Sequence, residues 1–175
     1  MSRTGTRPPI SIEAEGVEFD DFFERERDPL FRRMWLVTGD RAEADDVAQE
    51  AFIRLLARWD RIRRLEDPQG YLYRTAFNVL RSRVRRAKLA VRKAVGSTVG
   101  GGDEFEAAEA RHVVARAMRG LTERQRSVLV LVELLGYSAN DAAAVLGIRP
   151  STVRSTATQA RAAMRTTLGG EPWER

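Results

Sequence analysis

The chain has 175 residues, 43% hydrophobic and 31% charged, the balance of a folded protein rather than a disordered one. Its net charge of +5 favours a polyanionic partner, and 28 of its 30 basic residues are arginine, a bias that suits bidentate contact with phosphate and guanine and that a GC-rich genome would equally produce. The absence of cysteine excludes disulfides, thiolate metal sites and cysteine nucleophiles.

Residues 1–16 mix Pro8, Pro9, Gly5 and Gly16 with polar residues and read as a flexible tail. They hold no apolar core of signal-peptide type. The longest apolar stretch, residues 128–135, is broken by Glu133 and is too short to span a bilayer, so a cytoplasmic protein is expected. From residue 17 to 28 acids dominate, with Phe19, Phe22 and Phe23 among them at helical spacing. Asp28-Pro29 reads as a helix start, an N-cap acid before a first-turn proline. That helix carries Leu30, Phe31, Met34, Trp35 and Val37 and is expected to stop near Thr38-Gly39.

Asp40 caps the next helix, with Glu43 in capping-box register. Over residues 41–59, Ala44, Val47, Ala48, Ala51, Phe52, Leu55, Leu56 and Trp59 share one arc at helical periodicity and form the expected core side. The opposite face carries Asp46, Gln49, Glu50 and Ile53. An isoleucine amid polar groups is either a singly exposed apolar residue or the centre of a protein-docking face. A loop over residues 60–66 contains Arg61, Arg63 and Arg64, and Asp67-Pro68 starts another helix by the same capping logic.

From residue 74 to 93 eight basic residues occur without one acid. Arg74, Asn78, Arg81 and Arg85 follow helical spacing and line one face, while Leu72, Ala76, Val79 and Leu80 lie towards the other; Arg86 follows directly. Like charges at this spacing cost helix stability, so an all-positive face implies a compensating anion, with nucleic acid phosphate favoured over a merely solvated surface.

Residues 95–103, VGSTVGGGD, have four glycines and no apolar periodicity, and read as a flexible linker. It is not a phosphate loop, because no Gly-Lys-Ser/Thr follows. Residues 104–119 resume a helix. Thr122 with Gln125, and Ser138 with Asp141, then mark two helix starts. The stretch 121–168 ends in a helix-turn-helix pattern: Ala142, Ala143, Gly147, Ile148 and Val153 are small or apolar where two helices would cross. Pro150 opens a last helix bearing Ser151, Thr152, Arg154, Ser155, Thr158, Gln159 and Arg161. Hydroxyls, an amide and arginines along one side suit a DNA major groove. Arg149 is a poor N-cap and is expected to face a phosphate. No segment reads as strand. The expectation is an all-α protein of two small helical domains joined by a glycine-rich linker: tail 1–16, domain 17–94, linker 95–104, domain 105–169, tail 170–175.

Enzymatic readings fare poorly. Asp45 and Asp46 are adjacent and point about 100° apart, so they form no acid–base pair. His112 has Arg116 at i+4 rather than a metal ligand.

Three motifs in order, split by a linker, resemble the small extracytoplasmic-function class of bacterial RNA polymerase sigma factors. Thr38-Gly39-Asp40 with Asp45-Asp46-Val47-Ala48-Gln49-Glu50-Ala51-Phe52 resembles the region-two helix that binds the polymerase clamp. Tyr71 to Asn78 with Arg85-Arg86 is similar to the helix that reads and opens the minus-ten element. Leu121, Arg124-Gln125-Arg126, Val128-Leu129, Leu146-Gly147-Ile148 and Thr152-Val153-Arg154-Ser155 are similar to region four, which reads the minus-thirty-five element. The loop Trp59 to Arg64 resembles an actinobacterial subgroup.

The resemblance implies a non-catalytic specificity subunit without cofactors or metals. Asp46, Gln49, Glu50 and Ile53 would face polymerase. Arg61, Arg63, Arg64, Arg74, Asn78, Arg81, Arg85 and Arg86 would hold minus-ten DNA, with a flipped base in the 60–66 loop. Arg149, Ser151, Thr152, Arg154, Ser155, Thr158, Gln159 and Arg161 would meet minus-thirty-five DNA. The implied partners are core RNA polymerase (β′ clamp and β flap), promoter DNA and an anti-sigma protein. The chain departs from the family pattern at Tyr71, Ser82, Thr122, Arg149, Thr156 and Thr158. The competing reading is a stand-alone helix-turn-helix regulator.

Overall fold

The structure is a computed structural model that describes residues 18–93, 114 and 116–168, with side chains in the fourth helix described as far as residue 87. The expected tails, the linker, His112 and the start of the helix at 104–119 lie outside the described residues, as do the side chains of Lys88, Arg92 and Lys93. Among the described residues there is no strand, and no helix is long and apolar enough to cross a membrane. These residues fall into two compact units.

The amino-terminal unit contains α1 (Phe19–Thr38) as far as Trp35, α2 (Arg41–Leu56), the short α3 (Trp59–Ile62) and α4 (Pro68–Lys93). The helix start expected at Asp28-Pro29 is absent, because α1 runs straight through with Pro29 inside it. Proline removes one backbone bond there, a loss of about 3 kcal/mol in a free helix. The continuity of the buried face outweighs it: Phe22, Glu26, Leu30 and Met34 recur every fourth residue, and all are buried. Helix α1 ends at Thr38, and Gly39 follows with a positive φ of 74° that only glycine adopts cheaply.

Asp40 caps α2 as expected, accepting from the Glu43 amide at 2.9 Å. Ala44, Val47, Ala48, Ala51, Phe52 and Leu55 are buried. The helix closes at Leu56 rather than running on to Trp59, and Leu56 is 55% exposed instead of lying in the core. Leu56 lies about 100° around α2 from the buried Leu55, at the edge of the apolar arc. The chain turns at 57–58 and starts α3, whose Trp59 and Ile62 turn inward. Trp59 then packs edge-on to Phe19, with ring centroids 5.4 Å apart, and against Phe22 at 5.0 Å, while Phe23 meets Phe52 at 4.8 Å. Aromatic pairs of this kind contribute roughly 0.5–1.5 kcal/mol each beyond their burial, and they join α1 to α2 and α3. Pro68 is the first residue of α4, and Asp67 accepts from the Gly70 amide at 2.8 Å, so that cap also forms.

The carboxy-terminal unit has helical residues at 116–119, where Ala117 and Met118 are buried. Then follow α5 (Glu123–Leu129), a π-helical turn (Val130–Leu134), α6 (Ala139–Leu146) and α7 (Pro150–Thr167). Both expected N-caps are present: Thr122 and Gln125 make a reciprocal capping box, and Ser138 accepts from the Asp141 amide. Gly147 ends α6 in the left-handed conformation, at φ 65°. Val128, Leu131, Ala142, Ala143, Val145, Val153, Ala157 and Ala160 are buried and form the core in which α7 crosses α5 and α6. Of the residues expected at the crossing of α6 and α7, Ala142, Ala143 and Val153 are buried, Ile148 is half-buried and Gly147 is exposed.

Candidate nucleic-acid interface

Helix α4 has two chemically distinct sides. Leu72, Tyr73, Ala76, Phe77, Val79 and Leu80 are buried, and α4 packs along α2. Arg74, Arg81, Arg85 and Arg86 are exposed and Asn78 is half-buried. Asn78 accepts a hydrogen bond from Arg81 at 3.1 Å, and Arg86 donates to the Ser82 carbonyl at 3.4 Å. None of these arginines is paired with a described acid. Tyr73 anchors the inner side: it is fully buried, its hydroxyl accepts from Arg33 of α1, and the Arg33 guanidinium lies 5.2 Å from its ring centroid.

Arg83 behaves differently from the rest of the basic run. At 100° per residue it lies about 180° around α4 from Arg74, on the α2 side. There it meets Asp46 at 2.7 Å and Glu50 at 3.8 Å. One charge of the acid-free run is therefore compensated inside the fold. Sequence spacing alone could have shown that Arg83 faces away from Arg74, but only the packing of α2 shows what it meets.

Asp46, Gln49, Glu50 and Ile53 do share a face of α2. Ile53 is 67% exposed at its end, with Leu56 one turn on. Gln49 donates to Asp45 at 2.9 Å, and Glu50 pairs with Arg54. The loop arginines separate into two kinds. Arg61 and Arg64 are exposed, whereas Arg63 is half-buried and 3.7 Å from Asp60. Leu65 beside them is exposed, and Ile62 is buried beneath.

The residue missed in the acidic stretch is Glu26. It is 4% exposed, accepting from Gln69 at 2.8 Å and from Arg25 at 3.2 Å. Its signal was its spacing, four residues from both Phe22 and Leu30. Burying a carboxylate without such partners costs several kcal/mol.

On α7, Ser151, Arg154, Ser155, Thr158 and Gln159 are exposed and Thr152 is half-buried. Arg149 precedes the helix with an extended backbone and makes no side-chain cap, leaving its guanidinium exposed. Ser155 and Thr158 donate back to the carbonyls of Thr152 and Arg154 at 3.1 Å, which occupies their protons but leaves their oxygens as acceptors. Thr156 is 7% exposed and packs inward, so it does not share the face of Thr158. Arg161, at the flank of that face, is held by Glu133 through two N–H bonds of 2.9 and 2.6 Å. Arg165, one turn beyond, is exposed on the Arg154–Thr158 side and was not anticipated.

No described cluster of His, Cys, Asp or Glu has the geometry of a metal site. What the described residues offer is two separate polar, cation-bearing helix faces, each backed by its own core. Comparison with known proteins identifies both halves. The family model for Sigma-70 region 2 matches residues 22–89, and that for Sigma-70, region 4 matches residues 111–164. The ECF RNA polymerase sigma factor SigM of Mycobacterium tuberculosis is 30% identical over 158 residues, spanning 90% of this chain and 81% of its own length.

The chain belongs to the ECF RNA polymerase sigma factors.

The RNA polymerase sigma-E factor of Streptomyces avermitilis is similar at 32% identity over 159 residues, covering 88% of this chain and 87% of that protein. Two solved structures share the fold. The sigma factor RpoE of Bartonella quintana, in complex with the anti-sigma factor NepR, superposes with a TM-score of 0.68 at 19% identity, over 88% of this chain and 98% of that one. CnrH, in complex with the cytosolic domain of CnrY, gives 0.54 at 24% identity, over 91% and 94%. As a sigma factor, the protein works through core RNA polymerase and promoter DNA to direct promoter-specific transcription initiation.

Proposed function

We propose that the sigma factor divides promoter reading between its two units, with α4 and the 60–66 loop on minus-ten DNA and α7 on minus-thirty-five DNA. The observation that carries this is the two-sidedness of α4. One side is buried on α2, and the other presents Arg74, Arg81 and Arg85 with no described acid to neutralise them. Such a face gains most by releasing counterions from a phosphate backbone. Arg61, Arg64 and Arg86 extend it, and Asn78 adds an amide that can pair with an unstacked base. Extruding a base costs a few kcal/mol, which these contacts must offset. Arg63 belongs to the same group through its exposed edge.

On α7, Arg154, Ser151, Thr152, Ser155, Thr158 and Gln159 face the major groove, and Arg149 takes a backbone phosphate. On α2, Asp46, Gln49, Glu50 and Ile53 dock on the polymerase clamp, an apolar centre with a polar rim, while the β flap takes the carboxy-terminal unit. The protein carries no catalysis of its own; polymerase performs the chemistry in the cytoplasm. Its solved fold neighbours RpoE and CnrH are each in complex with a partner, NepR in the one case and CnrY in the other, and an anti-sigma protein is proposed here on that likeness.

The test is start-site mapping on a randomised promoter library with core polymerase and three proteins: wild type, Arg81→Ala and Arg154→Ala. Arg81→Ala should weaken selection at the downstream element only, and Arg154→Ala at the upstream element only. Loss of both elements in either variant would contradict the division.

A further inference from the structure

The pair formed by Glu133 and Arg161 is the least expected feature of the DNA-reading unit. Arg161 stands on α7 one turn from Ala157 and Arg165, at the border between the buried side and the exposed face. Glu133 comes from the π-helical turn Val130–Leu134. That turn sends Val130 and Leu131 into the core and leaves Glu133 at the surface beside α7. Both the Nε–H and an Nη2–H of Arg161 donate to one oxygen of Glu133, at 2.9 and 2.6 Å. The two side chains are about equally shielded, at 37% and 35% exposure. A π turn is rare and recurs at functional positions. Here it brings a carboxylate from a sequence distance of 28 residues onto an arginine of the reading helix.

We propose that Glu133 withholds Arg161 from promoter DNA, and so sets how many phosphates α7 neutralises. The inference rests on the reading of α7 as the minus-thirty-five helix. A guanidinium whose charge is met by a carboxylate at 2.6 Å releases no counterion when DNA arrives, unless the carboxylate is displaced. A duplex backbone approaching this flank would also meet Glu133. The exposed Arg154 and Arg165 then carry the cationic contact along the helix, and Arg161 serves to hold α7 on the π turn. Weakening the backbone term in this way leaves a larger share of affinity to the groove-facing Ser151, Ser155, Thr158 and Gln159. Glu133 is thus a specificity-determining residue that never touches a base.

The prediction is quantitative, because each neutralised phosphate adds about 0.9 to the slope of log affinity against log salt on duplex DNA. The measurement is binding of holoenzyme, assembled from core polymerase and the full chain, to a promoter fragment that wild type selects, followed between roughly 50 and 200 mM salt. Glu133→Gln should steepen the slope by about 0.9 and make the fall in affinity over that range about 3-fold larger than for wild type. Adding Arg161→Gln to Glu133→Gln should return the slope to the wild-type value. If Glu133→Gln leaves the slope unchanged, the proposal is overturned. It is equally overturned if the steepening survives in the double variant, since loss of the acid alone would then explain it. A double variant shallower than wild type would show that Arg161 already contacts DNA, and would overturn it too. Thermal unfolding checks that each variant folds, and run-off activity of the wild-type holoenzyme separates failure of this proposal from failure of the sigma reading itself.

Discussion

Ile53 is two-thirds exposed beside Asp46, Gln49 and Glu50, and a folded helix has no internal use for it there. Ile53→Arg is expected to lower core-polymerase affinity by at least about 10-fold, since a charge in the apolar centre of an interface costs more than about 1.4 kcal/mol. Its circular dichroism should match wild type, and unchanged affinity would remove this face from the account. Asp46 differs, because Arg83 already holds it in the free protein. Part of its charge is therefore spent internally, and Asp46→Arg should both weaken docking and repel Arg83. Thr156 shows the limit of reading residues from a pattern. It departs from the family pattern within the last helix, yet its side chain points into the core. Thr156→Val is accordingly expected to keep the same start sites on a promoter library, whereas Thr158→Val, on the exposed face, should change upstream-element preference.

At the scale of elements, local chemistry was legible and long-range balance was not. The caps at Asp40, Asp67, Thr122 and Ser138 each need only two or three neighbouring residues, and each forms as read. Asp67→Ala should cost about 1 kcal/mol, visible as a lower Tm. The start placed at Asp28-Pro29 failed for the opposite reason. It weighed one proline and ignored that Phe22, Glu26, Leu30 and Met34 continue a single buried face across it. Pro29→Ala should raise Tm, because it restores a backbone donor inside α1; a lower Tm would mean that the proline's shape is used in packing. Trp59 is buried as expected but in a separate short helix, because periodicity carries no information on where a helix stops, and only Leu56 leaves the expected core. Glu26 and the Glu133–Arg161 pair depend on contacts 43 and 28 residues apart, which no local window contains.

The whole molecule is described as two units, each with its own core and its own exposed cationic helix face. Either face alone would serve a generic DNA-binding protein. Their occurrence in one chain, with an apolar-centred face on α2 and with both sigma regions matched in order, makes a subunit that works through polymerase. The stand-alone regulator reading accounts for a cationic helix face but not for both sigma regions matched in order in one chain. The two readings part most sharply in run-off transcription from a promoter library, with purified core polymerase and the full chain. The account predicts discrete start sites that appear only when both are present, downstream of paired sequence elements. Tight duplex binding by the chain alone, with no polymerase-dependent start sites, would contradict it.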